Sequence, residues 1–572
     1  MLMPLVDRLC FQGSEANGFH EALTAFHSGD VEAALICIKE LLSESPNDPY
    51  ALVLAADCFN HYGKPLEALS LVKTAASGSA SCLDFLIVEV CQLNTMGRYA
   101  DGLFCLELAS SLWNQNPYWI WQLILQLELT NRCIEAVKFL NLHIDNLKSQ
   151  IDFYPIASRL FSGVGQNEFA LGLLVEWNTS YPSRDSAKSL ADCYFLLNRH
   201  DKYVEVLKEA SKSYPDDFNL EVLALQAQCD QSIKNVPGVL RLISGMVDSS
   251  VKSHEYAFFS GRLLLAQSRF EDGWPLYEHR LLMDINGLYA SVRPELDYEK
   301  SVQGKSVLLV AEQGVGDVLL FARFIPFLQR DADHVVLLVD NRLLPLMQRC
   351  FNEVVVVSDL ALAQQLVGDN SIVLAIASLG ARYLRLCSSF EDLKVSNLIV
   401  PHPLLINQWS NVLPANRMQV GLSLSAGTHQ GSYKTQKRSV PVSVVDNAMN
   451  SDDFDVHDLQ HFGDIEPRLG SFKCIKHSRI THDLDQLIAL ISRLDILVTS
   501  DQTNAFLGGI LGVPTIVIAP PNPHFALMSE GKFTPWFESV RLLRCTFWMG
   551  WDQLTDPFDS LFSELLSQVA LE

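Results

Sequence analysis

The stretch SVLLVAEQGVGDVLLFARFIPFLQ, residues 306–329, decides how the second half of this chain folds. It opens on a short apolar run, passes two glycines, and continues with Leu, Phe and Ile at helical spacing. That order predicts a strand, a tight turn and a helix. A dinucleotide fingerprint would need a third glycine where Leu319 stands, and no Gly-Lys-Ser or Gly-Lys-Thr follows for a P-loop. The turn therefore carries neither common phosphate motif. It leaves Gly314 and Gly316 at a helix N-terminus, with Asp317 as the first charged residue of that helix. Read by itself, this is a capped βα turn.

Downstream, the runs HVVLLV, EVVVVS and SIVLAI alternate with helical segments, which predicts a parallel sheet with right-handed crossovers over residues 300–400. The interval VPHPLLINQWSNVLPANRM reads as a linker. A second series, QVGLSLSAGT, LDILVTS and VPTIVIAP, closes with the helical segment DSLFSELLSQVALE and gives a second lobe over residues 415–572. Two such lobes place a ligand cleft between the C-terminal edges of their sheets.

Upstream the pattern changes to a repeat. Gly29, Gly63, Gly97, Asn131 and Gly165 stand 34 residues apart. Five residues after four of them comes an alanine, Ala34, Ala68, Ala136 or Ala170, with Gly102 in the third unit; a small side chain there lets two helices approach closely. Pro46, Pro182 and Pro215 separate units, because proline cannot continue a helix. Asn198 is the turn residue of the unit ending at Pro215, and weaker units lie around Ser232 and Ser268. The series resembles tetratricopeptide repeats over residues 1–285, in seven or eight units. Stacked helix pairs form an extended binding face for a peptide or protein, and Trp113, Tyr118, Trp119, Trp121 and Trp177 are candidates either to line it or to pack the core.

A chain of 572 residues exceeds one hydrophobic core and is multidomain. Its net charge of −23 argues against nucleic acid or an anionic membrane as the main partner. Thirteen cysteines without paired CxxC spacing fit reduced thiols in a cytoplasmic protein better than a disulfide framework or zinc ribbon. No signal peptide and no long uncharged apolar run is evident, so membrane insertion is not expected.

Three turns at predicted strand ends concentrate polar groups. The first is EQGVGD, Glu312 to Asp317. The second, residues 424–441, carries Ser425, Gly427 and Thr428 ahead of Lys437 and Arg438, a combination of hydroxyls, free N–H groups and cations suited to an anionic phosphate or to a solvated loop. In the third, LDILVTS runs into Asp501, and Gln502, Thr503 and Asn504 open a helix whose N-terminus could take a phosphate, with Asp501 alternatively a plain N-cap.

Taken in order, EQGVGDVLLFARFIPFL, VGLSLSAGT…KRSVP and DLDQLIALISRLDILVTSDQTNAFLGGILGVPTIVIAP resemble the GT-B glycosyltransferase domain of heptosyltransferase-like proteins, and in particular the bacterial subgroup that carries it behind tetratricopeptide repeats. FEDGWPLYEHRL, residues 270–281, is similar to the end of the repeat array in that subgroup. The resemblance implies an α solenoid followed by two Rossmann-like lobes, and a metal-independent transferase that uses a nucleotide-sugar as donor substrate and no cofactor. It implies that Asp317 is the general base, with Gly314 and Gly316 in the acceptor-side loop. Ser425, Gly427, Arg438, Asp501, Gln502, Thr503 and Asn504 would hold the donor. Related sequences usually carry Thr and His where Gln502 and Phe506 stand, and often Trp at Leu424, which makes ADP-heptose a poor candidate and leaves open a UDP- or CMP-linked sugar, or a pseudoenzyme that keeps only the fold. The expected function is cytoplasmic O-glycosylation of a protein Ser or Thr, with an acceptor such as flagellin recruited by the repeats. A lipid-linked or polysaccharide acceptor, or a non-catalytic scaffold with a degenerate GT-B domain, are the alternatives.

Overall fold

A computed structural model describes the chain apart from residues 1–3, 10–16, 80–81, 151, 248–253, 284–291, 293, 369–370, 385–397, 426–437, 461–471, 478–479, 481–482, 549 and 572. The chain divides into two compact units, Met1–Ser189 and Leu190–Glu572.

The first unit holds five helix pairs, from Asn17–His27 with Val31–Glu44 to Phe153–Gly163 with Asn167–Ser180. Between the helices of each pair the chain turns through a left-handed residue, at Gly29, Gly63, Gly97, Asn131 and Gly165, with φ of 88°, 67°, 71°, 65° and 82°. Glycine and asparagine are the residues that adopt this conformation at low cost, which is why they recur at this spacing. Ala34, Ala68, Ala136 and Ala170 are fully buried where the paired helices meet. Gly102 has its own reason: a Cβ there would lie 2.8 Å from Nε2 of Gln126. That amide is fixed by Asn94 (2.8 Å) and the Tyr99 carbonyl (2.7 Å), and Gln92 makes the same pair of contacts with Asn60 and the Pro65 carbonyl one repeat earlier. Trp119 and Trp121 are buried core residues, and Trp177 stacks on Tyr154 with ring centroids 6.4 Å apart.

The second unit has repeat-like helices of its own, His200–Ser213, Phe218–Gln231, Val236–Val247, His254–Leu265 and Phe270–Tyr277. Asn198 and Ser268 make the left-handed turns, with φ of 57° and 60°. Ser232 does not: its φ of −160° and ψ of 139° are extended, and it bridges to Phe547 while the Trp548 N–H donates to the Gln231 carbonyl. The pairing with a distant segment replaces the local turn. Trp548 lies flat on His200, centroids 4.8 Å apart, and against Phe195 at 4.4 Å, so the later repeats are packed onto the α/β body.

That body has two sheets. Strands β1 (Ser306–Val310), β2 (His334–Leu338), β3 (Val355–Val357) and β4 (Ser371–Ala375) are parallel in the order β3-β2-β1-β4. The second sheet comprises β5 (Met418–Ser423), β6 (Phe454–Asp458), β7 (Ile475–Lys476), β8 (Ile496–Ser500), β9 (Thr515–Ala519), β10 (Phe533–Thr534) and β11 (Phe537–Arg544), ordered β10-β11-β9-β8-β5-β6-β7. Among its described strands only β10 runs antiparallel. Covered on both faces, the central strands read as nearly unbroken apolar runs. The closing helix, Thr555–Val569, buries Phe558 and Phe562 on the second lobe. The interval read as a linker contains a helix, Pro403–Val412, in which Pro403 is tolerated because first-turn N–H groups have no intrahelical partner; Trp409 Nε1–H donates to Gln486 at 3.1 Å. Among the described residues no helix is long and apolar enough to cross a membrane, and the cysteines are free thiols.

Candidate active site

The opening stretch folds as its pattern predicts: β1 ends at Val310 and the helix Val315–Phe321 begins after the N-cap Gly314. Parallel strands aim the helix that follows back across the sheet, so the intervening turn lies at the C-terminal edge of β1. Its two carboxylates have separate environments. Glu312 is buried, with a side chain 4% exposed. Its Oε1 accepts from Arg280 Nη2 (2.9 Å) and Nε (3.1 Å), and its Oε2 accepts the Ile376 N–H (3.0 Å). Arg280 also donates to Glu278 (2.6 Å) and to Ser378 Oγ (2.9 Å), and Ser378 Oγ–H donates to Glu278 (2.5 Å). Burial pushes the Glu312 carboxyl above its ordinary range, opposed by the Arg280 charge. This cluster fastens the end of the repeat array to the first lobe. Trp274, from the same segment, packs where a Cβ on Gly380 would stand, 2.5 Å from its ring.

Asp317, in the first turn of the helix Val315–Phe321, is at the seam between the lobes. Its Oδ1 lies 2.8 Å from Nε2 of His524, which follows β9 of the second lobe, and the two side chains are 22% and 19% exposed. The seam is tight around it. A Cβ on Gly316 would meet the Phe506 ring at 2.7 Å, so glycine is what lets the first-lobe helix approach the helix Thr503–Leu511 of the second. Arg323 crosses the same seam to donate to the Trp536 carbonyl (3.1 Å) between the Trp536 and Phe537 rings, and burial lowers its pKa to about 10.

On the second lobe the ends of β5, β6 and β8 converge. Asp501, 3% exposed, accepts the His524 backbone N–H through Oδ2 at 2.9 Å. Gln502 donates to the Ser423 carbonyl (2.7 Å) and to Ser423 Oγ (2.9 Å). Asn504 donates to the same Oγ (3.0 Å) and to the Leu459 carbonyl (3.3 Å). These two amides therefore tie strand ends together around Ser423. Gln502 is the N-cap of the helix Thr503–Leu511 but its side chain caps none of the leading N–H groups. Ser425 donates its backbone N–H to Gln460 (2.8 Å), and Arg438 is half-buried. Gly427, with Thr428 and Lys437, lies outside the described residues.

Thus Asp317, Gly316, Asp501 and Thr503 are gathered at one seam, with Gly314 at its edge and Ser425 at the end of β5. Sequence reading missed His524, Ser423 and the Arg280 cluster. His524 stands after a strand of the second lobe in APPNPHF, a position at a sheet edge that could have drawn attention, but its partner Asp317 is 207 residues away.

The described residues form a helical repeat array followed by an α/β body with two mostly parallel sheets. No family model matches the chain. It is 22% identical over 458 residues to Protein FlbA of Caulobacter vibrioides, covering 68% of this chain and 75% of that protein. Among solved structures, the glycosyl transferase family 9 protein from Veillonella parvula aligns with a TM-score of 0.33 and 13% identity, over 48% of this chain and 99% of that one. A tetratricopeptide repeat protein from Parabacteroides merdae aligns with a TM-score of 0.31 and 13% identity, over 47% and 93%.

Proposed function

We propose that the chain is a cytoplasmic, metal-independent glycosyltransferase that moves a sugar from a UDP- or CMP-linked donor to a Ser or Thr hydroxyl of a protein held by the repeats, flagellin being the first acceptor to test. The observation that carries this reading is the place of Asp317, a partly exposed carboxylate at the C-terminal edge of β1, facing the strand ends of the second lobe. A hydroxyl is a weak nucleophile, and a carboxylate in hydrogen-bond reach can take its proton as the donor bond breaks. Opposite it, the helix Thr503–Leu511 points its uncapped N-terminus towards the same region, where a diphosphate would be favoured by the N–H groups and the helix dipole. Arg438 would add a cation to that site.

Titration of the purified protein with UDP, CMP, ADP and GDP by calorimetry tests the reading. Binding of UDP or CMP, weakened by Arg438→Ala by about 1.5–3 kcal/mol as expected for a charge-assisted phosphate contact, supports it. Absence of binding to any nucleotide would leave the scaffold reading in its place.

A further inference from the structure

Resting on Asp317 as the base, we propose that His524 is its positioning residue, occupying Oδ1 so that the acceptor proton is received at Oδ2, on the Gly314 side. His524 is held from three directions. Its backbone N–H donates to Asp501, its Nδ1 accepts the Ala526 N–H (3.2 Å), and its Nε2 meets Asp317 Oδ1 (2.8 Å). The ring also packs against Phe506 (centroids 5.1 Å apart) and Phe525 (4.3 Å).

These contacts determine its tautomer. A nitrogen that accepts a backbone N–H carries no proton of its own, so the neutral ring is protonated at Nε2 and donates to the carboxylate. Both ring nitrogens are then engaged, and His524 has no lone pair to offer a substrate. The base is Asp317, and its open oxygen is Oδ2. A Cβ on Gly314 would lie 3.5 Å from that oxygen, so the absence of a side chain there leaves the space where a hydroxyl can approach. In the step this arrangement serves, the acceptor O–H proton passes to Oδ2, the acceptor oxygen bonds to the anomeric carbon, and the bond from that carbon to the donor phosphate breaks. The nucleotide leaves with the electron pair. Because Asp317 belongs to the first lobe and His524 to the second, the carboxylate is oriented when the lobes are together.

The test combines a spectroscopic and a kinetic readout on the full chain. NMR of the protein labelled with ¹⁵N-histidine should show His524 protonated at Nε2, and in Asp317→Ala the tautomer should persist, held by the Ala526 N–H, while the Nε2–H proton loses its hydrogen-bonded downfield shift; an Nδ1–H tautomer overturns the proposal whatever the activity. Hydrolysis of the UDP- or CMP-sugar, with water as acceptor, should fall in kcat by roughly 100-fold in His524→Ala with donor KM unchanged, as a misplaced catalytic group predicts. His524→Gln, which keeps a donor at comparable reach, should recover most of it. Gly314→Ala, at a φ of −64° that any residue adopts, should fold normally and lower the rate by about tenfold by occupying the approach to Oδ2. An equal loss in His524→Ala and His524→Gln, a loss confined to donor KM, or an unchanged rate in Gly314→Ala would each overturn it. Full activity in Asp317→Asn would instead refute the base itself.

Discussion

Replacing Arg280 by Met should unfold the second unit preferentially, and the structure sets the size of the effect. The guanidinium is 5% exposed and faces two carboxylates, Glu278 and Glu312, that are 7% and 4% exposed. Methionine has similar volume but no charge, so packing is largely kept while two buried carboxylates lose their cation. Removing one partner of a buried pair costs about 3–5 kcal/mol, and two stranded partners place the cost at the upper end. With about 2 °C per kcal/mol for a large unit, the melting temperature of the second unit should fall by about 8–10 °C in differential scanning calorimetry. A transition from the first unit, which contains none of these residues, should not move.

The deficit should also depend on pH. Burial raises the Glu312 carboxyl above its ordinary pKa, and Arg280 is what opposes that rise. Without Arg280 the folded-state pKa climbs further above the unfolded value, so the folded state binds the proton more tightly than the unfolded chain. Stability then increases as pH falls through the raised pKa, and the deficit should be largest near pH 7 and shrink towards pH 5. A deficit below about 1 kcal/mol, or one that is the same at both pH values, would refute the account of this cluster.

Gly102→Ala should destabilise the first unit by about 1–3 kcal/mol in urea unfolding, since the new methyl meets an amide already fixed by Asn94 and Tyr99; an unchanged midpoint would show that Gln126 can move aside. Trp548→Ala should remove the stacking on His200 and Phe195 and increase hydrogen exchange in the helices His200–Ser213 and Phe218–Gln231, whereas unchanged protection there would mean that the remaining backbone contacts suffice.

The repeats were legible because their turns demand a particular backbone: a residue that must be left-handed at every 34th position leaves glycine or asparagine in the sequence. Ser232 shows the limit. It lies in a helix junction but is pulled into an extended pairing with Phe547, a contact whose partner is more than 300 residues away and leaves no local trace. The βα turn was legible for the same local reasons, and Gly316 gained its explanation only when Phe506 of the other lobe was found against it. Glu312 opens the polar EQGVGD turn in the sequence; its role as the anchor for Arg280 depends on a segment folded in from the repeats. Gln502 and Asn504 are visible in the sequence by their place at a helix start, and the structure adds a tie to Ser423 that periodicity cannot reveal. His524 was missed because a lone histidine after a proline-rich turn has no pattern; only the closed seam brings it to Asp317.

The central claim is that Asp317 removes a proton during sugar transfer, and intact-protein mass spectrometry of the acceptor tests it most directly. Purified flagellin, incubated with the full chain and a UDP- or CMP-sugar, should gain sugar-sized mass increments on Ser or Thr. Asp317→Asn, similar in size and still able to accept from His524 through its amide oxygen, should fold and bind nucleotide yet slow that gain by roughly 10²- to 10⁴-fold. Increments accumulating at the wild-type rate with Asp317→Asn would contradict the account.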